Sequence, residues 1–161
     1  MQTKHFLSLI LSLAVATLHA EEIRGKVVSI SDGDTITVLD SKNVQHKIRF
    51  QGIDAPETSQ AFGSKCRQHL GDKIFGKLVV VTWTEKDRYD RILGEVTFGD
   101  RKINLEMVQD GAAWHYKQYS DSKELAEAEE KARKAKKGLW SEKSPKPPWE
   151  FRAESREKVG K

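Results

Sequence analysis

The sequence predicts a small β-barrel of the OB type, five-stranded and carrying three α-helices. Three observations point there. Five short β-rich runs are spaced by tight-turn residues, which suits a small closed barrel more than a large sandwich. Helical periodicity fills the gaps between them. At 161 residues, the chain is long enough for one core of ordinary size.

The elements follow in order. Residues 1–20 read as a cleaved leader. An early Lys4 precedes the apolar run Phe6–Leu18, followed by His19, Ala20 and the acidic pair Glu21 and Glu22. The run is short for a membrane span and matches an export signal of about 7–15 apolar residues. Strands are expected over 22–30, 34–40, 44–50, 77–84 and 92–98, with the first two separated by an Asp32-Gly33 turn. Helices are expected over about 59–73, 103–110 and 121–137. For the last, Asp121 and Glu124 suggest a capping box and Gly138 a left-handed C-terminal residue. Its apolar stripe is Leu125, Ala128, Ala132, Ala135 and Leu139, and its acidic first half and basic second half suit the helix dipole. Beyond Trp140, Pro145, Pro147 and Pro148 among charged residues suggest an extended basic tail. The expected domains are thus the leader 1–20, a barrel over 21–142 and a tail over 143–161.

Composition excludes several classes. Hydrophobic residues make up 37% and charged residues 32%, too apolar a mix for a disordered chain and too polar for a multi-span membrane protein. The lone Cys66 excludes an internal disulfide framework and any cysteine-based zinc site; on a helix without a histidine–acid pair, it reads as a packing residue. His46, His69 and His115 share no metal-ligand spacing. The net charge of +4 and pI near 9.1 hint at polyanionic partners, but the charge is uneven. Residues 21–130 hold 16 Lys and Arg against 20 Asp and Glu, whereas 131–161 hold 11 against 4.

Carboxylates and arginines concentrate in three stretches that packing alone does not require. These are Asp32-Gly33-Asp34-Thr35, Arg49 running through Phe50 to Asp54-Ala55-Pro56-Glu57, and Asp87-Arg88-Tyr89-Asp90-Arg91. Two carboxylates at separate strand ends plus a turn carbonyl suit a hard cation such as calcium. Two arginines offer planar donors matched to a phosphate's oxygens. A further carboxylate, Glu57, can position or deprotonate an attacking water. Each stretch alone is ordinary: Asp-Gly-Asp-Thr is a common turn, and a lone arginine usually belongs to a solvated strand.

Their conjunction in this order resembles the thermonuclease family, the staphylococcal nuclease-like domains, over residues 22–142 including the closing Gly138-Leu139-Trp140-Ser141. The resemblance implies calcium-dependent cleavage of DNA and RNA phosphodiesters that leaves 3′-phosphate ends. Carried over, it assigns Asp34, Asp54 and the Ala55 backbone carbonyl to calcium. Arg49 and Arg91 fall to the scissile phosphate, with the loss of one such donor costing about 10²–10³ in rate, and Glu57 to the attacking water. Arg88 and Tyr89 would contact a terminal phosphate. Tyr116 would stack on a base, with Trp114 and Tyr119 as competitors and core packing as the ordinary alternative. Asp32 would support the Asp34 turn. Asp90 stands where the family often has glycine, and the loop after Glu57 is short.

The expected function is an exported hydrolase, periplasmic or secreted, with DNA and RNA as substrates and single strands favoured. It would act as a monomer, with no stable protein partner and no membrane span after leader cleavage. The alternative is an OB module that binds nucleic acid or protein without cutting; retention of Asp34, Arg49, Asp54, Glu57 and Arg91 argues against it. An envelope protein with an uncleaved anchor ranks last.

Overall fold

The computed structural model describes residues 20–159, so the expected leader lies, up to residue 19, outside the described residues. Five strands form the barrel: β1 (Glu21–Ile30), β2 (Thr35–Asp40), β3 (Gln45–Phe50), β5 (Leu78–Lys86) and β6 (Ile92–Phe98). They pair in the order β3-β2-β1-β5-β6, and a parallel pairing of β3 with β6 closes the ring. The long β1 serves two neighbours. Its first half pairs with β5, its second half with β2, and a bulge between Val27 and Ser29 bends it from one to the other. Bulges supply the local bend that barrel closure needs.

Alternation along these strands turns Val27, Ile36, Val38, Ile48, Phe50, Val81 and Val96 inward, all fully buried. Burying each such side chain contributes about 1.5–3 kcal/mol. Helix α1 (Gly63–Ile74) adds Cys66, Leu70 and Ile74 to that core, and α2 (Ile103–Gln109) adds Ile103, Met107 and Val108. Cys66 is buried, and desolvation, reinforced by the charge of Asp34, pushes its thiol up to about 12. It is an inert packing residue at neutral pH. Short strands β4 (Ile53–Asp54), β7 (Arg101–Lys102) and β8 (Trp114–His115) complete the β structure, with β4 and β8 pairing apart from the barrel. Runs of two residues carry no readable periodicity in sequence.

Helix α3 (Lys123–Lys134) differs from expectation at both ends. Its N-cap is Ser122, whose hydroxyl accepts from the Leu125 N–H, while Glu124 pairs with Lys102 rather than closing a capping box. At the C-terminus Lys136, at φ 51°, takes the left-handed position. The Lys137 and Lys136 N–H groups donate back to Ala132 and Arg133 carbonyls, the paired bonds of a Schellman motif. Gly138 is left-handed as expected, at φ 51°, but two residues beyond Lys136, and a Cβ there would lie 2.3 Å from the Gly111 carbonyl oxygen. It opens the 3-10 turn Gly138–Ser141, which packs Leu139 and Trp140 against Trp114 and Ala132.

The largest departure is beyond residue 141. The expected extended tail is instead a fourth helix, α4 (Pro148–Val159), docked on the barrel. Proline breaks a helix interior but is tolerated in the first turn, where its missing N–H has no partner to lose. Pro148 therefore starts α4, and the Pro147 carbonyl accepts from the Phe151 N–H.

Outside the core, one polar network ties α1 to α2. Glu106 accepts from Arg101 at 2.7 Å and Lys73 at 2.9 Å, and Lys73 also reaches Asp110. These bonds, Arg101 foremost, hold the Glu106 carboxyl down to about 2. A folded-state value below the unfolded one gives stability that is present above the unfolded value and lost on acidification. The protein should therefore lose stability as pH falls from 4.5 towards 2. In thermal melts across that range, Glu106→Gln should start less stable at pH 7 and decline less steeply; parallel declines would refute the assignment.

Candidate active site

The site is built where β3 runs out into β4. Phe50 N–H donates to the Asp34 carbonyl at 2.8 Å, pinning the loop before β2 to the end of β3. Within that loop Asp32 Oδ1 accepts from the Asp34 N–H at 3.0 Å, and Asp34 Oδ1 accepts from the Thr35 hydroxyl. Gly33 does not take a left-handed turn conformation. It is there because a Cβ would lie 2.8 Å from the Ala55 Cβ and 2.9 Å from the Cys66 Cβ. The close approach lets Asp34 Oδ2 accept from the Ala55 N–H.

Arg49 sits at the centre with a side chain only 11% exposed. Its Nη1 donates to the Phe50 and Ile53 carbonyls at 2.9 and 2.8 Å and lies 3.2 Å from Asp34 Oδ2. Its Nη2 donates to Asp54 Oδ1 at 2.7 Å. A guanidinium has five N–H donors, so Nε–H and one Nη2 hydrogen remain for an incoming acceptor. Asp34 and Asp54 are both buried, at 3% and 1% exposure. Burial pushes the Asp34 carboxyl well above its ordinary range; Arg49 pulls the other way, and the charges of Asp32 and Asp54 add to the rise. The barrel itself supplies one guanidinium for these two buried carboxylates.

Glu57 follows the Pro-fixed turn. Its backbone is held by Gln60, whose side-chain oxygen accepts from the Glu57 N–H and whose own N–H donates to the Glu57 carbonyl. Its carboxylate is 36% exposed at the mouth of the site. Asn104 on α2 supports the same region from behind: its amide donates to the Gln51 and Gly94 carbonyls, and its oxygen accepts from Val96 N–H.

The structure brings Asp34, Arg49, Asp54, Ala55 and Glu57 together, and Arg91 directly precedes β6, the strand that pairs with β3. In the loop between β5 and β6, the Arg91 Nε and Nη2 both lie 2.7 Å from Asp87 Oδ2. Asp87 also accepts from the Tyr89 and Arg91 N–H groups, and together these contacts lower its pKa despite the opposing effect of burial. Tyr89 is 65% exposed, with Arg88 over its ring at 5.0 Å. Asp90 has φ 60°, a left-handed position that suits glycine and that Asp tolerates. Its carboxylate turns to Lys86 at 2.8 Å and away from Arg91.

The three aromatic candidates also separate. Trp114 is enclosed by Trp140 and by Arg133 over its ring. Tyr119 is exposed and edge-on to Tyr116. Tyr116 borders the site, and its ring is stacked on Trp149 of α4 at 5.3 Å with planes 4° apart.

Sequence reasoning missed the groups that α4 contributes. Arg152 Nη1 donates to Asp54 Oδ1 at 3.1 Å and Glu57 Oε1 at 2.8 Å, and its Nη2 donates to Asp54 Oδ2 at 2.8 Å. The Gln60 amide donates to the Lys146 carbonyl at 2.6 Å. The one available signal was that Trp149 and Arg152 are three residues apart and so share a helix face. A charged residue on a docking face hides that face from a search for apolar periodicity.

A buried Asp–Arg–Asp cluster with a half-buried glutamate beside it, on a closed five-stranded barrel, fits the family whose model matches the sequence, described as staphylococcal nuclease homologues, over residues 47–142. The chain belongs to the staphylococcal nuclease family. A Haemophilus influenzae protein named an uncharacterized endonuclease is 44% identical over 131 residues, 81% of this chain and 74% of the relative. An Escherichia coli protein of the same description is 40% identical over 92% of this chain and 97% of its own length. A micrococcal nuclease of Shigella flexneri is 42% identical, covering 84% of this chain and 83% of the relative. As a staphylococcal nuclease homologue the chain is a hydrolase of phosphodiester bonds, on an OB barrel with four helices where three were expected.

Within this nuclease, Arg49→Ala would leave Asp34 with no guanidinium. Removing one partner of a buried pair costs about 3–5 kcal/mol. Urea unfolding at pH 7 should show a loss of that size, with Arg49→Lys recovering part of it. A loss in the range of a surface pair, below about 1 kcal/mol, would contradict the central role of Arg49.

Proposed function

We propose that this chain is an exported, calcium-dependent nuclease that cuts DNA and RNA and leaves 3′-phosphate ends. The observation that carries the reading is the Asp34–Arg49–Asp54 cluster, whose donor set is hard oxygen, buried, and served by one guanidinium of the barrel itself. Asp34, Asp54 and the Ala55 carbonyl are the groups that would hold calcium, which favours oxygen ligands and tolerates waters. When bound, the cation supplies charge to offset that of the phosphate and lowers the pKa of water.

The chain's own residues do the rest. Arg49 offers its two remaining N–H groups to the scissile phosphate, already oriented by Phe50, Ile53 and Asp54. Arg91, aligned by Asp87, is the second phosphate donor. Donors fixed before the reaction stabilise the charge that develops on the phosphoryl oxygens without reorganising. Glu57 accepts the proton of the attacking water as its oxygen bonds to phosphorus; the bond to the 5′ oxygen breaks, and that oxygen takes its proton from solvent water. Arg88 and Tyr89 contact a neighbouring phosphate, and Tyr116 presents a face to a base. An unstacked base reaches such a face more easily than a paired one, which favours single strands. The enzyme acts as a monomer without a stable protein partner. Export rests on the leader over residues 1–20; among the described residues no helix is long and apolar enough to cross a membrane.

Incubation of the mature protein with single-stranded DNA and RNA should give cleavage in calcium and none in chelator. Arg91→Ala should lose about 10²–10³ in rate, and Glu57→Gln about 10²–10⁴. End-labelling should find 3′-phosphates, and fractionation should find the protein outside the cytoplasm, starting at Glu21. Undiminished cutting by both variants would sink the assignment, and intact substrate with bound nucleic acid would favour the non-catalytic binding module.

A further inference from the structure

The α4 helix meets the barrel through few groups, and two of them stand where the proposed ligands belong. Both carboxylate oxygens of Asp54 are taken by Arg152, and Oδ1 is shared with Arg49. Glu57, the proposed water-binding carboxylate, is taken by the same guanidinium. One helical turn earlier, Trp149 lies flat on Tyr116 as a nucleobase would. Beyond this face α4 makes little contact with the barrel. Glu154 pairs only with Lys146 of its own segment, and residues 154–158 are exposed.

We propose that α4 is a built-in occupant of the cleft, an autoinhibitory plug that the cation and a nucleic-acid strand displace. Arg152 stands in for the cation on Asp54 and Glu57, and Trp149 stands in for a base on Tyr116. The proposal rests on the reading of the site as a calcium-dependent nuclease. A cation on Asp54 would have to share an oxygen with the like-charged Arg152 guanidinium, and Tyr116 cannot stack on a base while Trp149 covers it. Two ligands that exclude a common segment help each other bind, because either one releases it. By reciprocity, weakening the segment's hold must strengthen the ligands' hold.

The test uses the full mature chain and its Arg152→Ala and Trp149→Ala variants, each verified as folded by thermal melting. Calcium binding is measured by calorimetry. Affinity for a nuclease-resistant single-stranded phosphorothioate oligonucleotide is measured by anisotropy. Release of α4 is followed by limited trypsin digestion at Arg152 and Arg156. Arg152→Ala should bind calcium about tenfold more tightly, and Trp149→Ala should bind the oligonucleotide about fivefold more tightly, within the usual range of coupling between sites. In the wild-type chain, calcium and oligonucleotide together should speed cleavage in α4 severalfold. Unchanged or weaker ligand binding in both variants, or α4 equally protected with and without ligands, would overturn the proposal and make α4 a fixed wall of the site. A separate result would fail the nuclease reading alone: calcium binds and α4 is released, yet the wild-type chain leaves DNA intact. If the wild-type chain cuts DNA in calcium and the variants bind as it does, only the plug fails.

Discussion

The Arg49 guanidinium is the contact on which the rest of the site depends. It is nearly buried, yet it satisfies two strand-end carbonyls and two carboxylates from different segments. A buried charge is tolerable only when paired and hydrogen-bonded. The barrel end therefore folds around this one group: β3 stops, the chain turns to β4, and the loop before β2 bends in. The same bonds aim the two remaining donors of Arg49. Stability and function pull on one side chain, and the buried carboxylates are left with an appetite for more positive charge than Arg49 supplies.

The surrounding polar groups make sense as fixtures for that cluster. Asp32 holds the backbone of Asp34, Gln60 holds the backbone of Glu57, and Asn104 joins the residue after β3 to β6. Each replaces a flexible loop contact with directional bonds, which is how a site on loops reaches the precision that catalysis needs. Arg91 shows the same device in the loop between β5 and β6: it is bound twice to Asp87 within its own tight loop, so its position is set before any substrate arrives.

The positive charge of the chain has a different meaning once α4 is in view. Read along the sequence, the excess over 131–161 suggests a solvated basic region that attracts polyanions at a distance. In the fold, one of those cations is brought onto Asp54 and Glu57, and a neighbouring aromatic is brought onto Tyr116. Charge complementarity within the chain is thus at work in the same place where charge complementarity with a ligand is proposed.

Much of this was readable from the residues in order. The five barrel strands, three of the helices and the clustering of Asp34, Arg49, Asp54 and Glu57 follow from alternation, turn residues and motif spacing, which are local properties of a chain. What escaped depended on contacts between distant segments. The cap at Ser122 beat Asp121 because the chain enters α3 one residue later, with Ser120 Oγ accepting from the Ser122 N–H. Gly33 was needed for close approach to residues far along the chain, which no local turn rule reveals, and Gly138, left-handed as its local signal suggests, also makes such an approach. Trp114 and Tyr116 are two residues apart and equally aromatic, and only packing decides that one is enclosed and the other borders the cleft. The tail became a helix because Trp149 and Arg152 found partners nearly a hundred residues upstream or across the cleft, and those partners offset the ordering cost of a segment with weak apolar patterning. The sequence by itself determined the barrel and the chemical groups at its mouth, because alternation and short motifs act over a few residues. Only the tertiary structure decided what rests on those groups, because docking of α4 depends on charge and ring geometry that meet through space.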